Sequence, residues 1–452
     1  MRLLYTLVMW LAQPLLRRKL MRRGVQEPGY LLAVEEHFGH YTAAPPPADG
    51  NTIWVHAVSL GETRAAAVLV AHLRLRLPGM RLLLTHGTAT GRAEGVQLLL
   101  AGDRQTWQPW DTPGAVQRFL AHFQPRLGIL METEIWPNLV AGCVQRGVPL
   151  VLANARLSEQ SQRKTRRLAW LARPAYRGLT AVWAQTQADA TRLAALGAPV
   201  QGVFGNLKFD ATPNAEQLAL GQRWRQQSGR PLVMLASSRE GEEAALLQVL
   251  ASFRPLARVD SAQSAIISVV NQVQWLIVPR HPQRFEAVAT LIENQGFAVS
   301  RRSSWPDGPP PRAASADAES ARPTVWLGDS LGEMALYYGL AEVALLGGSF
   351  EPLGGQNLIE AAACACPVVM GPHTFNFAEA AEQAQAAGAA QRVATLRDGL
   401  QAAAKLACDA AALHAAQQAA DAFARTHRGA SLRLTEALVQ LLAANQRETS
   451  GC

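Results

Sequence analysis

Three carboxylates and one lysine carry the chemical signal in the first half of the chain. Glu62 lies in HAVSLGETRAA (56–66), where Gly61 permits a tight turn and Glu62 falls at the start of a helix. A carboxylate there is favoured by the helix N-terminus and held ionised, ready to take a proton from a hydroxyl. A plain helix-start glutamate would have the same signature. Glu132 and Glu134 stand two apart in METEIWPN (131–138), directly after the apolar run RLGILM. On extended backbone both would point to one side. One would hold substrate or stabilise charge at a reacting centre, and the other would brace the turn with Trp136 and Pro137. Two solvated loop acids are the plainer alternative. Lys208, in GNLKFD (205–210), sits at a break in the pattern, placed to reach across a cleft, although a single lysine is more often a surface residue.

The second half offers turns suited to an anion. ASSREGEE (236–243) reads as a strand, a polar turn and a helix start, with backbone N–H groups to present. VPRHP (278–282) places Pro279, Arg280 and His281 at a strand end, and arginine suits a phosphate or carboxylate. In GDSLGEM (328–334), Gly332, Glu333 and Met334 form another strand-end turn, with Glu333 suited to ribose hydroxyls. GGSFEPLGGQNLIEAA (347–362) has two Gly pairs that allow close backbone approach, then Asn357 to start a helix carrying Leu358, Ile359 and Glu360. His373 and Asn376, in GPHTFNF (371–377), would line the same cleft. No Walker loop, no G-x-G-x-x-G fingerprint and no metal-ligand spacing occurs.

Something must hold these turns in place. Short apolar runs at 52–57, 81–85, 126–131, 149–153 and 180–185 alternate with helical patterns, and a second set follows at 231–237, 275–279, 324–327, 342–347 and 367–370. Continuous apolar strands separated by helices predict parallel sheets buried on both faces, an α/β class of two doubly wound halves facing each other over a cleft. In such sheets ligands bind beyond the carboxyl ends of the strands, where the residues above fall, except Lys208, which lies at the break between the halves. The expected organisation is an N-terminal membrane-anchoring segment at 1–27, a first Rossmann-like domain at 28–205, a second with closing helices at 206–430, and a tail at 431–452. The stretch 301–323, rich in Pro, Ala and Ser, reads as a solvated surface excursion.

Composition narrows the function. At 452 residues and 49% apolar, the chain buries large cores. Its net charge is +8, but six basic residues and no acid lie within 1–26, leaving the body near neutral. Nucleic-acid binding needs a basic stripe on the folded body, and is disfavoured. Five cysteines without scaffold spacing point to reduced thiols. The apolar run LLYTLVMWLAQPLL (3–16) precedes RRKLMRR, the reverse of a secretory signal, and suits a short anchor or interfacial helix with its cations on anionic headgroups. A helix packed on the body is the alternative.

Taken in order, HAVSLGETRAA, METEIWPNL, LANARLSEQS, GNLKFD, ASSREGEE, VPRHPQRF, GDSLGEM, GGSFEPLGGQNLIEAAA and GPHTFNF resemble the Kdo (3-deoxy-D-manno-octulosonic acid) transferases of lipopolysaccharide biosynthesis. The resemblance runs to about residue 393, with Gln356 where the family usually shows His. It implies a GT-B fold and inverting transfer of Kdo from CMP-Kdo to the lipid A precursor (lipid IVA) at the cytoplasmic face of the inner membrane, with no metal cofactor. Carried over, Glu62 looks like the base, and Glu132 and Lys208 like transition-state stabilisers. Pro279, Arg280, Gly332 to Met334 and Asn357 to Glu360 would bind CMP. A GT-B enzyme using a UDP-sugar, or an inactive membrane-bound scaffold, are the alternatives.

Overall fold

A computed structural model describes residues 2–47, 49–253, 261–310 and 322–450. Its strands are β1 (Thr52–His56), β2 (Arg81–His86), β3 (Arg104–Trp107), β4 (Leu127–Met131), β5 (Leu150–Ala155), β6 (Ala181–Ala184), β7 (Val200–Val203), β8 (Leu232–Ser238), β9 (Gln274–Pro279), β10 (Ala298–Arg301), β11 (Thr324–Leu327), β12 (Val343–Leu346), β13 (Val368–Met370) and β14 (Ala390–Arg392). They form two all-parallel seven-stranded sheets, in the orders β3-β2-β1-β4-β5-β6-β7 and β10-β11-β9-β8-β12-β13-β14. The two compact units are residues 1–210 with 427–452, and residues 211–426.

The first sheet is buried on both faces because its five inner strands are largely apolar. Ile53 and Val55 of β1 face one core with Ile129, Val151 and Trp183, while Trp54 faces the other with Phe119, Leu130 and Leu152. The indole of Trp54 donates to Thr85 Oγ1 at 2.8 Å, so its one polar atom is satisfied inside the core. In the second unit, Val233, Leu235, Ile277, Leu327 and Leu345 pack against the helices Glu242–Ser252 and Leu396–Cys408 on one such face.

Four strands escaped the apolar-run pattern: β3, β7, β10 and β14. All four are sheet edges. An edge strand has one hydrogen-bonded neighbour and need not be apolar throughout, as RQTW, AVSR and AQR illustrate.

Two boundaries differ from expectation. Residues 206–210 belong to the first unit, and the supposed tail is the helix Ala430–Ser450, whose Leu434, Leu438 and Leu442 complete the core beneath β1 and the helix Leu60–Arg76. Those leucines recur every four residues, one apolar stripe along one face. The start of 301–323 is also folded. Arg301 closes β10, and Trp305, 4% exposed, packs edge-on against Trp224 and Trp326. Residues 311–321 of that stretch lie outside the described residues.

The N-terminal helix Arg2–Gln26 exposes Leu3, Leu7, Trp10, Leu11 and Leu15. Leu20 and Gly24 are its buried positions, close to Tyr30 and Trp107 or Leu31. Among the described residues no helix is long and apolar enough to cross a membrane.

Candidate active site

Strand order reverses in the first sheet at β1, which pairs with β2 on one side and β4 on the other. In open α/β sheets the usual ligand position is beyond the strands' carboxyl ends at such a reversal. Glu62 follows β1 and Glu132 follows β4.

Ser59 caps the helix Leu60–Arg76 and accepts from the Glu62 N–H, while Glu62 reaches back to the Val58 N–H (2.9 Å) and the Ser59 hydroxyl (3.0 Å). This is close to a capping box, S-x-x-E, and it locks the carboxylate's direction. The helix N-terminus does not hold Glu62 ionised in the ordinary way, however. Burial and the neighbouring charge of Glu132 outweigh those hydrogen bonds and raise its pKa to about 7. A carboxyl poised there is matched to proton abstraction near neutral pH.

Glu132 and Glu134 do not share an extended face. Glu132 sits in the left-handed region, φ 57°, with its N–H on Ala153 O and its carbonyl accepting from the Arg156 N–H. Such a conformation in a non-glycine residue costs about 1–3 kcal/mol and persists where the surroundings enforce it, often at functional sites. The two side chains therefore separate in role. Glu134 braces the turn, accepting from the Trp136 indole at 3.0 Å, and burial raises its pKa. Glu132, 7% exposed, accepts from Lys208 Nζ at 3.0 Å. Lys208 thus meets Glu132 within one unit rather than reaching over from the second.

Three contacts fix the lysine turn. Asn154, at the end of β5 with φ 52°, accepts the Leu207 N–H at 3.0 Å through its side-chain carbonyl. Asp210 accepts the N–H groups of Gly429 (2.6 Å) and Ser431, capping the C-terminal helix. Phe209 stacks on His427 at 4.7 Å. Asn154 went unnoticed in the sequence, although LANARLSEQS contains it; an Asn at a strand end, before a polar run, was the available signal.

Asp111, also unnoticed, accepts the N–H groups of Asn138 (3.0 Å) and Leu139 (2.7 Å) and so caps the helix Pro137–Gln145 that leaves the Glu132 turn. Tyr5 of the N-terminal helix bonds the same carboxylate, and Thr6 donates to Asn138 at 3.1 Å.

In the second unit the reversal lies at β8, between β9 and β12. Here the ASSREGEE turn is not open to an anion as expected. The carboxylate of Glu242, fully buried, takes the N–H groups of Arg239 (2.9 Å) and Gly348 (2.7 Å), tying that turn to the glycine loop. Pro279 ends β9, and the exposed Arg280 follows. Arg239, Arg280 and Arg284 together depress the pKa of His281, beyond the larger effect of its burial. Arg284 is committed to Glu243 at 2.7 Å, whereas Arg239 and Arg280 make no ion pair among the described residues.

Glu333 is more engaged than a ribose acceptor would be. It bonds Arg302 at 2.9 Å and accepts from the Ser330 hydroxyl, and Ser330 in turn bonds Tyr337. Arg302, from the stretch read as solvated, lies 4.9 Å over the Trp224 ring. Gly332, φ 77°, gives its carbonyl to Gln217 and precedes the helix that begins at Met334. Asn357 caps the helix Leu358–Ala363, accepting the Ile359 N–H at 3.1 Å and donating to Glu360 at 3.1 Å. Leu358 and Ile359 are buried, so that short helix offers backbone rather than those side chains. Asn376 turns back onto the glycine loop, donating to Leu353 O at 3.0 Å. The buried Tyr338 lies within electrostatic reach of both Glu360 and Arg280, which brings those two segments together.

Residues 33–211 match the family described as 3-deoxy-D-manno-octulosonic-acid transferase (kdotransferase). A 3-deoxy-D-manno-octulosonic acid transferase of Bordetella pertussis is 43% identical over 96% of this chain and 98% of its own. Another, from Haemophilus influenzae, is 34% identical over 84% of each. Among solved structures, a UDP-GlcNAc 2-epimerase of Neisseria meningitidis bound to UDP-GlcNAc superposes with a TM-score of 0.54, over 86% of this chain and 100% of that one, at 12% identity. The likeness is one of fold: paired Rossmann-like units of the GT-B type.

Proposed function

The chain belongs to the 3-deoxy-D-manno-octulosonic acid (Kdo) transferase family, and from that premise we propose that it moves Kdo from CMP-Kdo to a hydroxyl of the lipid A precursor, lipid IVA, with inversion. The observation that carries this reading is the coupled cluster of Glu62, Glu132 and Lys208 at the strand-order reversal.

In the reaction the acceptor oxygen bonds to the anomeric carbon of Kdo as the bond from that carbon to the CMP phosphate oxygen breaks. Glu62 takes the hydroxyl proton, and CMP leaves with the bonding pair. The anomeric carbon passes through an oxocarbenium-like state beside its own carboxylate. The fixed charges of Glu132 and Lys208 stabilise the charge that develops, at no reorganisation cost. Arg280 and the backbone around Pro279, Gly332 to Met334 and Asn357 to Glu360 hold CMP, the arginine facing its single phosphate. With no diphosphate to clamp, the donor needs no metal for its departure.

The N-terminal helix supports a lipid acceptor. Its exposed apolar residues and its exposed Arg18, Lys19 and Arg22 suit the interface of an anionic membrane, here the cytoplasmic face of the inner membrane. Thr6 donates to Asn138 in the helix that leaves the Glu132 turn, and Tyr5 bonds Asp111, whose carboxylate caps that helix.

Mass spectrometry of lipid products tests the reading. Detergent-solubilised protein is incubated with lipid IVA and either CMP-Kdo or a panel of UDP-sugars. A mass gain of one or more Kdo units with CMP-Kdo alone, reduced about 10²–10⁴-fold in Glu62→Gln, is expected. Transfer from a UDP-sugar instead, or no product from folded protein, would sink it.

A further inference from the structure

Beside the proposed acceptor site lies an apolar groove that the transfer chemistry does not use. It has a volume of about 470 Å³ and runs between the helices Pro137–Gln145 and Ala169–Arg177. Val140, Ala141, Val144, Trp170, Leu171 and Pro174 line it. Val144 is 59% exposed and Trp170 42%, so two of the large apolar side chains that line the groove stand open to solvent. Exposed apolar surface of this kind marks an interaction site more often than an accident of composition.

Two features say what occupies it. First, Pro137 at one end directly follows Trp136, whose indole holds Glu134, and Arg2 of the N-terminal helix also borders the groove. The groove therefore begins at the turn that presents Glu132. Second, the helix Glu159–Arg167 runs into the Trp170 helix and exposes Arg163, Lys164, Arg166 and Arg167, none of which makes an ion pair among the described residues. An apolar channel bordered by Arg2, with a basic helix directly preceding the helix of its Trp170 wall, is complementary to an acyl chain on a phosphorylated headgroup.

We propose that this groove binds one acyl chain of the acceptor lipid, with the basic helix Glu159–Arg167 facing its phosphates. The inference rests on the lipid-acceptor reading above and adds a place where chain length is sensed. Membrane attachment through the N-terminal helix concentrates the enzyme near its substrate. The groove orients one substrate molecule, so that its hydroxyl arrives at Glu62 rather than anywhere along the bilayer.

The test compares full-length wild type with Ala141→Phe and Val144→Phe, which fill the groove from partly exposed positions. Each is assayed at saturating CMP-Kdo with tetraacylated acceptor and with the fully deacylated disaccharide bisphosphate, in constant detergent. Wild type is expected to show a KM at least tenfold lower for the acylated acceptor. The variants are expected to raise that KM roughly tenfold, what losing the burial of about two methylenes would give, while kcat and the KM of the deacylated acceptor stay unchanged. If the variants leave the KM gap intact, or raise both KM values equally, the groove holds no acyl chain. If wild type transfers to neither acceptor, the lipid-acceptor reading itself fails and the groove proposal falls with it.

Discussion

The ammonium of Lys208 lies 3.0 Å from Oε1 of Glu132, although 76 residues separate them. Both side chains are largely withdrawn from water, at 19% and 9% exposure. The pair sets the charge that Glu62 experiences, since Glu132 is the largest electrostatic contributor to the raised pKa of Glu62 after burial. In the proposed mechanism the three residues act together, the lysine moderating what the second carboxylate does to the first.

Lys208→Met removes the moderation. Glu132 is left without its cation in a site where breaking a buried pair costs roughly 3 kcal/mol or more. The variant is expected to lose stability in a denaturant titration by about that amount and to lose about 100-fold or more in kcat/KM. Its acid limb should also move to higher pH, because an unscreened Glu132 further disfavours the ionised form of Glu62. An unchanged limb would separate Lys208 from the base.

Asn154 separates holding the lysine turn from filling space. Asn154→Asp keeps an oxygen for the Leu207 N–H and tolerates φ 52°, whereas Asn154→Ala does neither. The alanine variant is expected to lose about 1–3 kcal/mol of stability and at least tenfold in kcat. The aspartate variant should keep most of its stability. Equal stability losses in both would show that the side-chain carbonyl is not the anchor.

The C-terminal helix is a structural part of the first unit. Leu438→Ala, at a fully buried position, should cost about 2–5 kcal/mol, read as a fall in the urea midpoint of the first unit. A midpoint within error of wild type would contradict that packing.

Helix exposure predicts membrane affinity. Trp10→Glu with Leu11→Glu replaces two exposed apolar groups by charges on the face available to lipid. Sedimentation with anionic vesicles should fall at least tenfold while the circular dichroism spectrum is kept, given about 1.5–3 kcal/mol per buried large side chain. Undiminished binding would place the membrane contact elsewhere.

Much of the fold was legible because a parallel strand buried on both faces must be apolar throughout, and ten such runs stand out. The four edge strands were not, since AQR and RQTW satisfy one neighbour and leave the other side polar. Segment order also identified the family. Long-range placement stayed hidden: nothing local in GNLKFD says that Asp210 caps a helix beginning near residue 430, or that Lys208 turns toward Glu132. Nor does spacing disclose that Glu132 adopts φ 57°, which separates it from Glu134. Glu242 misled for a related reason, because a helix-start carboxylate can fill an anion position as well as leave one open.

The pH dependence of kcat/KM reads out whether Glu62 is a general base tuned by Glu132. Glu62 must be deprotonated to act, so activity should rise with pH through an acid limb near 7, set by the raised pKa. Glu132→Gln removes the negative charge that disfavours ionisation, so in that slower variant the limb should move to lower pH, toward the ordinary carboxylate range. A wild-type limb already in that range, or one that stays near 7 in Glu132→Gln, would rule out that role for the Glu62–Glu132 pair.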